Sequence, residues 1–229
     1  MKISVVLPVY NEAKKIKESV EEIKNFLEKM PYEFEIIIAE DGSTDGTDKI
    51  ASELSLNKKI IYIHSDKRLG RGKALKNAFS QAKGDVFIYM DIDLATDLSS
   101  IKTMIKEIEN GFDICIGSRY LKESKSERSF LRKTMSLIYN FFVKMLFNTK
   151  LNDMQCGLKA FSKKTLPTML NARDDYWFWD TETLLLAEKQ NQRIKEIPVV
   201  WKENKSSKVK ILRDSIYMGI RLIKLRMII

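Results

Sequence analysis

The chain has 229 residues, 44% of them hydrophobic and 31% charged, with a formal net charge of +9. That is enough apolar material for one buried core and excludes a disordered chain. The surplus of Lys and Arg favours an anionic partner but does not by itself separate nucleotide, nucleic acid and anionic membrane.

Ile3 to Pro8 is a β-branched run closed by proline, and Ala13 to Met30 then spaces Ile16, Val20, Ile23 and Leu27 at helical intervals. Phe34 to Ala39 predicts a second strand. The turn EDGSTDGT follows, with Ser43 and Asp45 as capping residues for a helix over Thr47 to Leu54. Ile60 to His64, Gly72 to Lys83 and Asp85 to Met90 repeat strand, helix and strand. Buried strands alternating with helices predict a parallel sheet covered on both faces. Further on come a helix over Leu98 to Asn110, a strand at Asp113 to Gly117 and a long helix from Ser129 to Phe147 rich in Phe, Leu and Met. A strand near Gly157 to Phe161, a helix through Thr181 to Lys189 and a strand at Ile194 to Trp201 complete the sheet. The expected organisation is one α/β domain over residues 1–208 and a basic amphipathic C-terminal helix over 209–229.

The opening run in KISVVLPVYNE is too short for a signal sequence. No stretch reaches the roughly 18 apolar residues of a membrane span. The expected location is cytoplasmic, with any membrane contact peripheral. Cys115 and Cys156 lack metal-ligand spacing and read as buried thiols.

Four polar clusters follow strand ends: Pro8 to Glu12, Glu40 to Ser43, Asp91 to Asp93, and Gly117 to Tyr120. Ligands of an open parallel sheet bind beyond the carboxyl ends of its strands, so these clusters converge on one crevice. Two carboxylates one residue apart, Asp91 and Asp93, can present oxygens to a divalent ion that also holds a diphosphate. A DxD alone is a weak signal, because two acids in a turn usually face solvent. Its place directly after the apolar strand VFIYM strengthens it. Asp41 is a nucleotide-base contact or a turn residue.

Together VVLPVYNE, EDGSTDGT, RLGRGKALKNAF, DIDLATD and GSRY resemble the inverting GT-A glycosyltransferases over nearly the whole chain. The resemblance implies a Rossmann-like, mostly parallel sheet with helices on both faces. It places Pro8, Tyr10, Glu12 and Asp41 at the base and ribose of a nucleotide diphosphate sugar. Asp91 and Asp93 would hold the diphosphate through Mg²⁺ or Mn²⁺, with Lys73 and Gln155 also at the donor. The second half, with NDMQCGLK, WFWDTE and VWKE before Ser207-Lys208, resembles the polyprenyl-phosphate hexose synthases. The likeness is strongest to dolichyl-phosphate glucose synthases, with dolichyl-phosphate mannose synthases as near relatives. The chain departs from the glucose pattern at Leu94, and at Lys205 and Ser206, where glycine is usual. The implied reaction moves a hexose from UDP-glucose, or alternatively from GDP-mannose, to a polyprenyl or dolichyl phosphate.

A phosphate monoester is already anionic near neutral pH, so it needs positioning more than a strong base. Arg119, Arg132, Ser136 and Lys208 are the candidates for that task, since guanidinium binds phosphate bidentately. Asp93, Arg119 and Asp180 form the candidate catalytic set. Asp180 orients sugar or acceptor, and would become the base if the acceptor were a saccharide hydroxyl. Trp177 and Trp179 read as core or interface residues. The C-terminal helix either lies in an anionic lipid interface or packs on the sheet with its cations in water, and the 129–147 helix is a second lipid-facing candidate. A silent nucleotide-binding scaffold fits poorly with an intact Asp91 and Asp93. Nucleic acid is not an expected partner, because the basic residues are dispersed and no stacking module accompanies them.

Overall fold

The computed structural model describes residues 1–203 and 211–229. The expected domain boundary, Lys208 and the start of the C-terminal helix at Val209 lie outside the described residues.

The first half alternates as its apolar runs dictate: β1 (Lys2–Val9), α1 (Ile16–Glu28), β2 (Glu33–Glu40), α2 (Thr47–Leu54), β3 (Ile60–Ile63), α3 (Arg71–Phe79) and β4 (Val86–Met90). Then follow α4 (Ser100–Glu109), β5 (Ile114–Ser118), β6 (Lys125–Glu127), α5 (Phe130–Phe147) and β7 (Leu158–Ser162). After a 3₁₀ turn at Lys163–Thr165, α6 (Leu166–Asn171), α7 (Trp179–Lys189), β8 (Ile194–Pro198), β9 (Val200–Lys202) and α8 (Ile211–Arg226) close the chain.

Seven strands form one sheet in the order β3-β2-β1-β4-β7-β5-β8. All pairings are parallel except those of β7, which runs antiparallel to both β4 and β5. Both faces are covered. Ile3, Val5, Leu7 and Val9 of β1 face the core under α1, α2 and α4, whereas Val6 faces a second core built by α3, α5, α6, α7 and α8. This alternation within a buried strand produces the near-continuous apolar run in the sequence.

The strand expected over Ile194 to Trp201 is two elements. β8 ends at Pro198, whose ring removes a ladder donor, and β9 leaves the main sheet to pair with β6 in a two-stranded parallel ribbon. The capping expected of Ser43 and Asp45 also takes a different form. Gly46, at φ 92°, occupies the N-cap of α2 and no side chain caps it. Asp45 instead accepts from the Thr47 N–H at 3.1 Å and from the Ala13 N–H at 3.1 Å, while Ser43 Oγ accepts from Asn11 N–H at 2.8 Å. These bonds tie the acidic turn to the loop after β1.

α8 packs Met218, Leu222 and Leu225 into the second core, against the side that carries α5. Its other face exposes Ile216, Ile220 and Ile223, and α5 exposes Phe130, Leu131, Phe141, Phe142 and Met145. No helix among the described residues is long and apolar enough to cross a membrane.

Candidate active site

The carboxyl ends of β1, β2 and β4 open onto one cavity, lined by Pro8, Tyr10, Glu12, Asp41, Arg68, Arg71, Asp91, Asp93 and Trp177. A second cavity, lined by Arg71, Asp91, Asp93, Arg119, Arg128, Arg132, Ser136, Gln155, Trp177, Asp180 and Trp201, adjoins it. The two share Arg71, Asp91, Asp93 and Trp177. Four groups of residues distant in sequence therefore meet where the switch in strand order opens the crevice.

The reversed direction of β7 brings its amino end to this edge. Leu158 pairs with Met90, and the Asp91 N–H donates to the Gly157 carbonyl at 2.9 Å. A Cβ on Gly157 would lie 1.9 Å from Asp91 Oδ2, so glycine is what lets the carboxylate lie against the neighbouring backbone. One residue beyond β7's start, Lys159 is 1% exposed; its Nζ donates to Asp180 Oδ1 at 2.5 Å and to the Cys156 carbonyl at 2.7 Å. Asp180 stands in the first turn of α7, and this ion pair fixes which way its carboxylate points.

Within the DxD, Leu94 adopts a left-handed φ of 52°, and the tight turn lets the Ala95 N–H donate to Asp93 Oδ1 at 3.1 Å. The left-handed backbone gives a physical reason for glycine at this position in the family pattern. Burial, then repulsion from Asp91, holds the Asp93 carboxyl above its ordinary pKa, and the Ala95 N–H only partly offsets them. Beside it, Arg71 Nη2 lies 2.5 Å from Asp91 Oδ1, with the guanidinium 4.9 Å from the Tyr89 ring centre and 4.8 Å from that of Trp177. Burial opposes the Arg71 charge, but the fields of Asp91, Asp180 and Asp93 outweigh it and keep its pKa raised.

In the first cavity, Asp41 is buried and accepts from the N–H groups of Leu69 at 2.7 Å and Gly70 at 3.0 Å. Burial pushes its pKa up despite those two bonds. Arg68 stacks 3.9 Å over the Tyr10 ring at the mouth of the same cavity. In the second, Arg119 donates from Nε to Asp153 Oδ2 at 2.6 Å and from Nη2 to Oδ1 at 2.7 Å. Burial opposes the Asp153 charge, but Arg119 wins and lowers its pKa. Arg132 Nε lies 3.0 Å from Glu203 Oε1. Gln155 donates from Nε2 to the Met218 sulfur of α8 at 3.1 Å.

Pro8, Tyr10, Glu12, Asp41, Asp91 and Asp93 thus line the first cavity, and Arg119, Arg132, Ser136, Gln155 and Asp180 the second. Lys73, expected at the donor, is exposed outside both linings, and its backbone N–H is committed to the Asp175 carbonyl at 3.1 Å. Arg71, two residues earlier and the first residue of α3, lines both cavities instead. Lys208 lies outside the described residues. Trp179 is fully buried against Phe79, as a core residue, whereas Trp177 lines both cavities. Both cysteines are buried, and burial pushes the thiols of Cys115 and Cys156 up to about 12 and about 11.

Residues 4–169, which carry the loop after β1, the acidic turn and the DxD, match the family model for glycosyl transferase family 2. The chain belongs to that family. This family 2 glycosyltransferase is 39% identical over 229 residues to the glycosyltransferase AglD of Haloferax volcanii, covering 98% of this chain and 37% of that protein. It therefore spans little more than a third of that relative. It is 31% identical over 243 residues to the dolichyl-phosphate beta-glucosyltransferase of Dictyostelium discoideum, covering 98% of this chain and 73% of the relative. The crystal structure of glucosyl-3-phosphoglycerate synthase from Mycobacterium tuberculosis in complex with Mn²⁺, uridine diphosphate and glucosyl-3-phosphoglycerate matches with a TM-score of 0.72. That match covers 98% of this chain and 79% of the other at 18% identity, a likeness of fold. The GT-A resemblance read from the motifs is confirmed at the level of family and architecture.

Proposed function

We propose that this chain is an inverting hexosyltransferase that moves glucose from UDP-glucose to a polyprenyl phosphate at a membrane surface, with residues 1–208 as the catalytic domain and 209–229 as a surface-contact helix. The observation that carries the reading is the junction of the two cavities at Asp91 and Asp93. One side is walled by the loop after β1 and the acidic turn; the other is walled by arginines and borders α5 and α8. The names of the dolichyl-phosphate relatives support the same acceptor.

Asp91 and Asp93 fit a hard divalent cation such as Mg²⁺ or Mn²⁺: both offer carboxylate oxygens, and the burial and the Asp91 repulsion that raise the Asp93 pKa would both be offset by positive charge. Asp91 and Asp93 are the side chains that would hold such an ion, together with the diphosphate of the donor. Such an ion, when bound, offsets charge on the departing diphosphate. Arg71 supplies a second, fixed positive charge at the same edge and holds Asp91 in place.

An oxygen of the acceptor phosphate attacks the anomeric carbon on the face opposite the nucleotide. The new C–O bond forms as the sugar–diphosphate C–O bond breaks, and its electron pair leaves with the nucleoside diphosphate. A phosphate dianion has no proton to lose, so Asp180, charge-balanced by Lys159, serves to orient a hydroxyl of the sugar. The exposed apolar faces of α5 and α8, interspersed with Lys133, Lys224 and Arg226, suit an anionic lipid surface and bring the second cavity to its acceptor.

The test mixes purified protein, Mg²⁺ or Mn²⁺ and a short polyprenyl phosphate with labelled UDP-glucose and, in parallel, GDP-mannose. Label is then counted in the organic phase. Transfer from UDP-glucose, lost in Asp93→Ala, is the expected result. Transfer from GDP-mannose alone would change the sugar, and transfer from neither, with donor binding intact, would rule out the lipid acceptor.

A further inference from the structure

We propose that Arg128, rather than Arg119 or Arg132 alone, is the cation that receives the phosphate monoester of the acceptor. This rests on the reading of a phosphate-bearing acceptor given above and assigns the group that recognises it.

Charge matching inside the second cavity singles this residue out. Of its four arginines, Arg71 is paired with Asp91, Arg119 with Asp153 and Arg132 with Glu203. Arg128 has no carboxylate partner among the described residues. Among the described residues its hydrogen bond, from Nη1 to the Tyr120 hydroxyl at 2.7 Å, goes to a neutral group, and its buried Nε has no acceptor. The guanidinium lies 5.3 Å from the Trp201 ring centre, on a ring that also meets Arg119 at 5.5 Å. Burial, reinforced by the neighbouring Arg119 charge, lowers its pKa. A half-buried cation beside a second cation, on the wall of a cavity and with a donor left unsatisfied, is costly unless an anion completes it. A phosphate offers several acceptor oxygens to a planar fork of donors.

The local fold explains how Arg128 is held there. It follows β6 directly, and β6 exists only through its pairing with β9, which carries Trp201. The two-stranded ribbon therefore sets Arg128 and its stacking partner on the same wall. Immediately beyond, Phe130 and Leu131 are 86% and 59% exposed at the start of α5. A phosphate on Arg128 thus has apolar surface next to it for an isoprenyl chain, which favours a lipid phosphate over a soluble one.

Binding of a short isoprenyl phosphate, the matching isoprenol and inorganic phosphate is measured by titration calorimetry in detergent, with UDP binding and the thermal midpoint followed in parallel. Wild-type protein should bind the isoprenyl phosphate and not the isoprenol. Arg128→Ala should weaken that binding by about tenfold or more, the loss expected for a charge-assisted contact, with UDP affinity unchanged. Arg128→Lys should recover part of it, and Arg128→Gln, which keeps much of the stem, supplies the answer if alanine melts early. Unchanged isoprenyl phosphate binding in all folded Arg128 variants, or no monophosphate binding by wild type, would overturn the assignment. If monophosphate binding depends on Arg128 but wild type forms no lipid-linked sugar, the assignment stands and the lipid reading fails. Arg128-dependent binding of inorganic phosphate without isoprenyl phosphate has the same meaning and points to a soluble phosphate.

Discussion

The Arg71 guanidinium closes on Asp91, Nη2 to Oδ1 at 2.5 Å, between the rings of Tyr89 and Trp177. The first acid of the DxD is therefore already charge-paired before any donor arrives. This pair competes with a cation for Asp91 but reinforces the field that meets a diphosphate. Arg71→Ala should tighten Mn²⁺ binding in the absence of donor and lower kcat/KM for the nucleotide sugar about tenfold or more, the weight of one preorganised charged donor. Titration calorimetry and steady-state kinetics on the same variant check the two opposite effects.

The raised pKa of Asp93 gives a pH dependence with a definite sign. Its folded-state value lies above the ordinary carboxyl value, so ionisation costs stability in the metal-free protein, and that cost is relieved as pH falls through the folded-state value. Asp93→Asn should therefore raise the metal-free melting midpoint at neutral pH by roughly 1–4 °C while abolishing transfer. Metal affinity in wild type should fall on acidification through the same range, and the stability gain should vanish below it. Melting curves from pH 4 to 8 with and without Mn²⁺, as a rough span of the carboxyl range, test both halves of the statement.

Gly157→Ala would place a methyl within 1.9 Å of Asp91 Oδ2. The strand or the carboxylate must move, at a cost of about 1–3 kcal/mol for overpacking. The displaced group lines both cavities, where the donor is proposed to bind, so activity should fall by more than the melting midpoint implies.

The Lys159–Asp180 pair is buried on both sides, with side chains 1% and 6% exposed. Lys159→Met leaves a buried carboxylate without its partner and should destabilise the fold by about 3–5 kcal/mol. Adding Asp180→Asn should restore most of that stability, because the orphaned charge is gone, yet leave transfer impaired. Denaturant unfolding of the single and double variants measures the coupling.

Exposure on α5 and α8 predicts a surface function separable from chemistry. Phe141→Asp with Ile220→Asp should reduce association with anionic vesicles while leaving UDP binding intact, since both side chains point away from the core at 62% and 50% exposure. Vesicle co-sedimentation reads the first effect and calorimetry the second.

Much of this architecture is legible in the sequence for one physical reason: strands buried on both faces must be apolar throughout, so β1, β2, β4 and β5 announce themselves and their polar ends mark the crevice. The direction of β7 leaves no such trace, because a buried strand has the same composition whichever way it runs. β6 is only Lys125-Ser126-Glu127, all exposed, and carries no alternation that betrays pairing. The same ribbon positions Arg128, which in the sequence is one cation in a polar stretch. Residues two apart near helix starts are equally hard to tell apart by composition: Arg71 rather than Lys73 reaches the cavity by its place at the start of α3, and Trp177 rather than Trp179 because it sits in the turn before α7 while Trp179 is drawn into the core. The C-terminal helix did not choose between packing and exposure, since Met218, Leu222 and Leu225 occupy one face and Ile216, Ile220 and Ile223 the other.

The most direct test of the central claim is the structure of the product. Incubation of the protein with Mg²⁺, a short polyprenyl phosphate and UDP-glucose labelled with ¹³C at the anomeric carbon, followed by NMR of the organic phase, reads the new linkage at C1 through its coupling to phosphorus. The expected product is a lipid-linked β-glucosyl phosphodiester with one UDP released for each bond formed. An α-linked product, or glucose recovered only as a water-soluble glycoside with no carbon–phosphorus coupling in the lipid fraction, would contradict it.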